Sequence, residues 1–96
     1  MDGFDDEEWA EMQEMYIKFT SKELEKIQES MDTATMESLR TFGHNIKGSG
    51  GMYGFDSVTE LGAKIEAAAK EDKLEDIRSF FKDLDDFLEQ EMNNDI

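Results

Sequence analysis

Residues 36–54 read MESLRTFGHNIKGSGGMYG. Met36, Leu39, Phe42, Ile46 and Tyr53 fall at helical intervals, so the stretch predicts an amphipathic helix with these side chains on its inner face. Yet it holds five of the chain's seven glycines, at positions 43, 48, 50, 51 and 54. Each interior glycine costs roughly 0.8–1 kcal/mol relative to alanine. A domain of this size has a total stability of only about 5–15 kcal/mol. Local rules broken without local gain mark a functional site.

Working outward, Trp9, Met12, Tyr16, Phe19, Ile27 and Met31 recur at intervals of three, four or their multiples, and predict a long first helix over 6–30. Asp5 or Asp6 can cap it, and the acidic residues that follow suit the positive end of the helix dipole. Asp32-Thr33 offers a break and a new cap, so the second helix is expected over 33–54, closing at Gly54-Phe55. Ser57 and Glu60 have capping-box spacing, which opens a third helix over 57–71 with Val58, Leu61, Ile65 and Ala68 inside. Asp72 and Glu75 repeat that spacing before a fourth helix over 73–91, with Leu74, Ile77, Phe81, Leu84 and Leu88 inside. Residues 93–96 are expected to be a fraying tail. There is no proline, no period-two alternation, no internal repeat and no low-complexity linker. The expectation is a single all-α domain over 1–96, an antiparallel up-down-up-down four-helix bundle.

Composition narrows the function. With 25 acidic and 10 basic side chains the formal charge is -15, and the pI is near 4.2. Nucleic acid and anionic membrane surfaces both need clustered cations and are disfavoured. Hydrophobic residues at 38% are still enough to expect a folded core rather than an acidic tail. Zero cysteines exclude disulfides and thiolate sites, and one histidine leaves zinc almost no ligands, so no metal site is expected. The acidic start, MDGFDDEEW, does not read as a signal peptide, and no apolar run is long enough to span a membrane. A soluble cytoplasmic protein is the expectation.

A helical wheel sorts the glycine-rich segment at about 100° per residue. His44, the single histidine, falls nearly opposite the apolar stripe and points to solvent. Arg40, Lys47, Gly48 and Gly51 share its face, whereas Gly43, Gly50 and Gly54 lie nearer the core edge and are assigned to packing. Gly48 and Gly51 strip side chains from the surface beside the imidazole, which suits a partner that must bring an anionic group close. Across the turn near Phe55-Asp56, Glu66 should stand at the height of His44. A carboxylate there would hold one ring N–H and leave the other nitrogen's lone pair free.

These residues bring a family into view. His44-Asn45-Ile46-Lys47-Gly48-Ser49, with Gly54 ten residues after the histidine, resembles the H-x-x-K-G-S…G signature of histidine-containing phosphotransfer (HPt) domains. The likeness extends through Leu61-Gly62 and Ile65-Glu66. The outer helices match only in length and pattern. The resemblance implies that His44 is the phosphoacceptor, through Nε2, and that Lys47 steadies the phosphoryl oxygens. It implies that Gly48 admits a receiver domain and that Glu66 bonds the other ring nitrogen. Gly-Gly at 50–51 departs from the pattern. The implied partners are response-regulator receiver domains and hybrid histidine kinases; Mg²⁺ is expected on the receiver, and no cofactor on this chain. A monomer is expected, with no kinase or ATP-binding domain of its own.

Plainer readings stand beside these. Lys47 and Arg40 are each ordinary helix-surface cations taken singly, and a minor structural role for Arg40 is as good a reading as a docking one. Glu66 stands four residues before Lys70 and could simply pair with it. Asp83, Asp85, Asp86, Glu89 and Glu91 read as a solvated face without the ligand order of a calcium loop. The competing function is an acidic helical adaptor that docks receivers without carrying phosphate. An independent enzyme is the weakest option, since no nucleotide-binding loop is present.

Overall fold

The computed structural model describes residues 5–93, and these fold as an all-α antiparallel four-helix bundle. The helices are α1 (Asp6–Glu29), α2 (Met36–Gly50), α3 (Asp56–Lys70) and α4 (Leu74–Asn93). A single 3-10 turn, Gly51–Tyr53, extends α2. No strand occurs among the described residues, and none of their helices is long and apolar enough to cross a membrane.

The helix ends show which local signals won. Asp5 caps α1 as expected, accepting the Glu8 N–H at 2.7 Å. α2 starts at Met36 rather than 33, because Thr35 takes the cap in a reciprocal box with Ser38. Thr33 is not free for that task, since its hydroxyl donates back to the Ser30 carbonyl. Gly54, in the left-handed region at φ 86°, closes the 3-10 turn. Its N–H donates to Gly51 O and the Phe55 N–H to Gly50 O, which is a Schellman closure. Gly54 is therefore required for its backbone conformation rather than for packing. That closure leads straight into α3 at Asp56, so the expected Ser57–Glu60 box does not form and Phe55 is the cap residue without a side-chain bond. The same motif ends α3, with the Lys73 N–H donating to Ala68 O and the Asp72 N–H to Ala69 O. Asp72 sits at φ 57° as the left-handed residue, so it terminates α3 instead of capping α4. α4 then runs through Asn93, past the expected end at 91; of the expected tail, 94–96 lie outside the described residues.

The core is the stripe Leu39, Phe42 and Ile46 of α2 packed with Val58 and Ile65 of α3 and Ile77, Phe81, Leu84 and Leu88 of α4. Phe42 meets Phe81 edge-on at 5.7 Å. The α1 stripe is rotated from the expected one. Tyr16, Ile17 and Leu24 are buried, and Thr20 is 2% exposed. Phe19, a member of the apolar stripe that the periodicity picks out, is 63% exposed. Three residues past Tyr16 lies about 60° to its far side, away from Ile17 and Thr20. Trp9, Tyr53, Tyr16, Phe55 and Phe87 form a continuous run of ring contacts that fastens α1 and α4 to the 3-10 turn.

α2 and α3 touch backbone to backbone. A Cβ at Gly62 would stand 2.5 Å from Lys47 N and 2.7 Å from Gly43 O, and one at Gly43 would stand 2.7 Å from Glu66 N. A Cβ at Gly50 would meet Thr59 N at 2.7 Å. Gly48, by contrast, faces open space with nothing within 4 Å. Gly62→Ala is therefore expected to cost about 2 kcal/mol through overpacking and to lower Tm by roughly 10 °C. Gly48→Ala should raise stability by about 0.8 kcal/mol. Thermal and urea denaturation of the two variants check the opposite signs.

Candidate functional site

α2 carries His44 outward while α3 brings a carboxylate up beneath it. The His44 side chain is 66% exposed, whereas that of Glu66 is 12% exposed. His44 Nδ1 lies 3.0 Å from Glu66 Oε2, and Lys47 Nζ lies 2.7 Å from Glu66 Oε1. One carboxylate thus ties together two side chains a single turn apart on the neighbouring helix. Its two oxygens go to His44 and Lys47, and Lys70 acts on it only at a distance, so the simple i,i+4 pairing with Lys70 does not form.

Nearly enclosed carboxylates ordinarily resist ionisation, but here the charge partners win. The Lys47 hydrogen bond holds the Glu66 carboxyl below its ordinary value of 4.5, against desolvation, with further help from the His44 bond and the charges of Lys47 and Lys70. Facing an ionised carboxylate, Nδ1 carries the ring proton. Nε2 then presents its lone pair, and it has no protein partner among the described residues.

The surroundings are cationic on a strongly acidic chain. Arg40, Thr41, His44, Glu66 and Lys70 line a surface recess of about 290 Å³. Arg40 and Lys70 have no ion-pair partner within contact distance among the described residues. On the other side of the imidazole, Gly48 and Gly51 leave the surface low: nothing lies near a Gly48 Cβ, and a Gly51 Cβ would be in ordinary contact with Thr59 at 3.4 Å. Ser49 turns inward, and its hydroxyl shares a hydrogen bond with the Tyr16 hydroxyl at 2.7 Å. Of the residues singled out from the sequence, Arg40, His44 and Glu66 line one recess and Lys47 joins them through Glu66, whereas Gly51 lies in the 3-10 turn beside Thr59. On α4, Asp85, Asp86 and Glu89 lie together at the surface, with Asp86 paired to Lys82.

Sequence reading missed two features here. Met15 on α1 and Met52 in the 3-10 turn are 69% and 74% exposed and, with Phe19, are large apolar side chains left at the surface. The Tyr16–Ser49 bond also went unread, because it joins residues 33 apart that share no periodicity.

The chain belongs to the Hpt domain family, whose match covers residues 11–94. That family serves phosphorelay phosphotransfer. The chain is also 30% identical, over 80 residues, to the phosphorelay intermediate protein rdeA of Dictyostelium discoideum. The aligned stretch is 83% of this chain and 32% of rdeA, so the chain spans about a third of that relative's length. No solved structure matches it significantly.

The lowered pKa of Glu66 has a consequence for stability. A carboxylate with a depressed folded-state value stabilises the fold fully above its unfolded value, near 4.5, and loses that contribution as pH falls through the folded value. The stability gap between wild type and Glu66→Gln should therefore be widest above that value and shrink between about pH 5 and pH 3. Parallel urea titrations of the two proteins across that range check it; a gap that is constant across the range contradicts it.

Proposed function

We propose that this domain is a phosphocarrier in which Nε2 of His44 accepts a phosphoryl group from the aspartyl phosphate of a receiver domain and passes it to another. The observation that carries this reading is the Nδ1···Glu66 contact at 3.0 Å beneath an exposed imidazole. It fits a base whose proton is already parked on the inner nitrogen and whose outer lone pair faces solvent.

The step balances without any further reagent. The Nε2 lone pair attacks phosphorus in line, the aspartyl C–O–P linkage breaks at its O–P bond, and the partner's carboxylate leaves with the electron pair. Nδ1 keeps its proton, so the phosphorylated ring carries a positive charge that the Glu66 carboxylate offsets. Lys47 has spare N–H donors beyond the one on Glu66 and can meet a phosphoryl oxygen. Phosphoryl transfer depends mainly on positioning and charge, so a carrier needs little machinery. Mg²⁺ belongs to the receiver in this scheme, and the reverse reaction uses the same groups.

Arg40 and Lys70 favour approach of an anionic partner surface, and Gly48 and Gly51 give it room. The partners proposed are receiver domains and the kinases that feed them, with this domain acting as a monomer and lacking kinase activity of its own. A pure docking adaptor would bind receivers equally well with His44 replaced, which separates the two readings.

Incubation with phosphoramidate or a panel of phosphorylated receivers, followed by intact mass, should add one phosphoryl group that is acid-labile and base-stable. His44→Gln should take none. Lys47→Ala should still be phosphorylated, with a rate lower by about a hundredfold or more, the scale of losing one charge-stabilising donor. A folded wild-type protein that binds receivers yet stays unmodified with every donor would replace the carrier with the adaptor.

A further inference from the structure

The end of α2 is held by a side chain from the facing helix. Gly51 N–H donates to Thr59 Oγ1 at 2.7 Å, and that hydroxyl donates to Lys47 O at 3.0 Å. Lys47 C=O and Gly51 N–H are the two groups that face each other as one rung of a regular α-helix. Thr59 binds both of them at the point where α2 tightens into the 3-10 turn. A hydroxyl engaged with the i→i−4 ladder in this way is a recognised cause of local change in helix course.

The neighbouring glycines fit this clasp. A Cβ at Gly50 would stand 2.7 Å from Thr59 N, 2.8 Å from Thr59 Oγ1 and 2.9 Å from Val58 Cβ, so only glycine lets the hydroxyl reach the rung. Gly51 meets Thr59 Oγ1 through its amide and otherwise leaves the surface low. The departure at 50–51 thus has a physical reason in α3. Seven residues further along α3, Glu66 holds the side chains of His44 and Lys47. The same helix therefore fixes the site twice, once through side chains and once through backbone.

We propose that Thr59 is a positioning residue of the phosphotransfer site: its hydroxyl sets the backbone from Lys47 to Gly51 and so shapes the low ledge beside His44 against which a receiver docks. This rests on the phosphocarrier reading. Because Glu66 separately anchors the Lys47 side chain, loss of the hydroxyl acts on docking more than on the chemical step.

The test compares Thr59→Val, which keeps the shape and removes the hydroxyl, with Thr59→Ser, which keeps the hydroxyl. The donor is the phosphorylated receiver that loads wild-type His44 fastest. Thr59→Val should raise KM for that receiver by about tenfold with a much smaller change in kcat, and Thr59→Ser should restore KM. Amide exchange at Gly51 should accelerate in Thr59→Val and recover in Thr59→Ser. In the wild type, the Thr59 hydroxyl proton should be visible by NMR as a slowly exchanging signal, a readout independent of whether the valine variant folds. A folded Thr59→Val with wild-type KM, a Thr59→Ser that behaves like it, or a wild-type hydroxyl in fast exchange overturns the proposal. Failure of wild type itself to load from any receiver overturns the phosphocarrier reading instead, and shows as loss in every protein rather than as a difference between them.

Discussion

The close approach of α2 and α3 is the constraint on which the site depends. Gly43, Gly50 and Gly62 remove the Cβ atoms that would otherwise hold the two backbones apart, and a Cβ at any of them would stand within 2.7 Å of facing backbone. Only at that separation does a glutamate on α3 reach both an imidazole and an ammonium on α2. The three glycines weaken the helices locally, but the gain is interhelical: buried Val58 and Ile65 pack against Leu39, Phe42 and Ile46 across the same seam. The helix propensity lost at these positions and the geometry of the site are one trade.

Charge organises the rest. A chain with a formal charge of -15 repels itself and other acidic surfaces, and this alone would oppose binding of a phosphorylated partner. Around His44 the pattern reverses, since Arg40, Lys47 and Lys70 are three of only ten cations and all lie on this face. Lys47 is neutralised by Glu66, whereas Arg40 and Lys70 are left available.

Much of this was legible in the sequence, and the rest fails for identifiable reasons. Helical periodicity is set by covalent geometry, so the bundle and most of its core could be read directly. The placement of Glu66 beside His44 follows from equal distances on either side of a turn. Helix starts were read less well, because a capping residue is chosen by competition. Thr33 had the right chemistry, but its hydroxyl is used by Ser30, and Asp72 had the right spacing but is needed in the left-handed turn that ends α3. Phe19 looked like core because a one-dimensional interval of three fits either flank of a stripe. Only the packed neighbours show that Thr20 and Ile17 occupy the inner side. The Thr59 clasp was invisible for a deeper reason: a hydroxyl acting on another helix's backbone leaves no motif in either helix.

The central claim is that Glu66 holds the ring proton of His44 on Nδ1 and leaves Nε2 as the nucleophile. The direct measurement is the ¹⁵N spectrum of the neutral His44 imidazole, in wild type and in Glu66→Ala, followed by phosphorylation of the wild type. The account predicts a protonated Nδ1 and a lone-pair Nε2 in wild type, loss of that preference in the variant, and phosphorus coupling to Nε2 after loading. A wild-type ring protonated on Nε2, or phosphorus coupled to Nδ1, would contradict it.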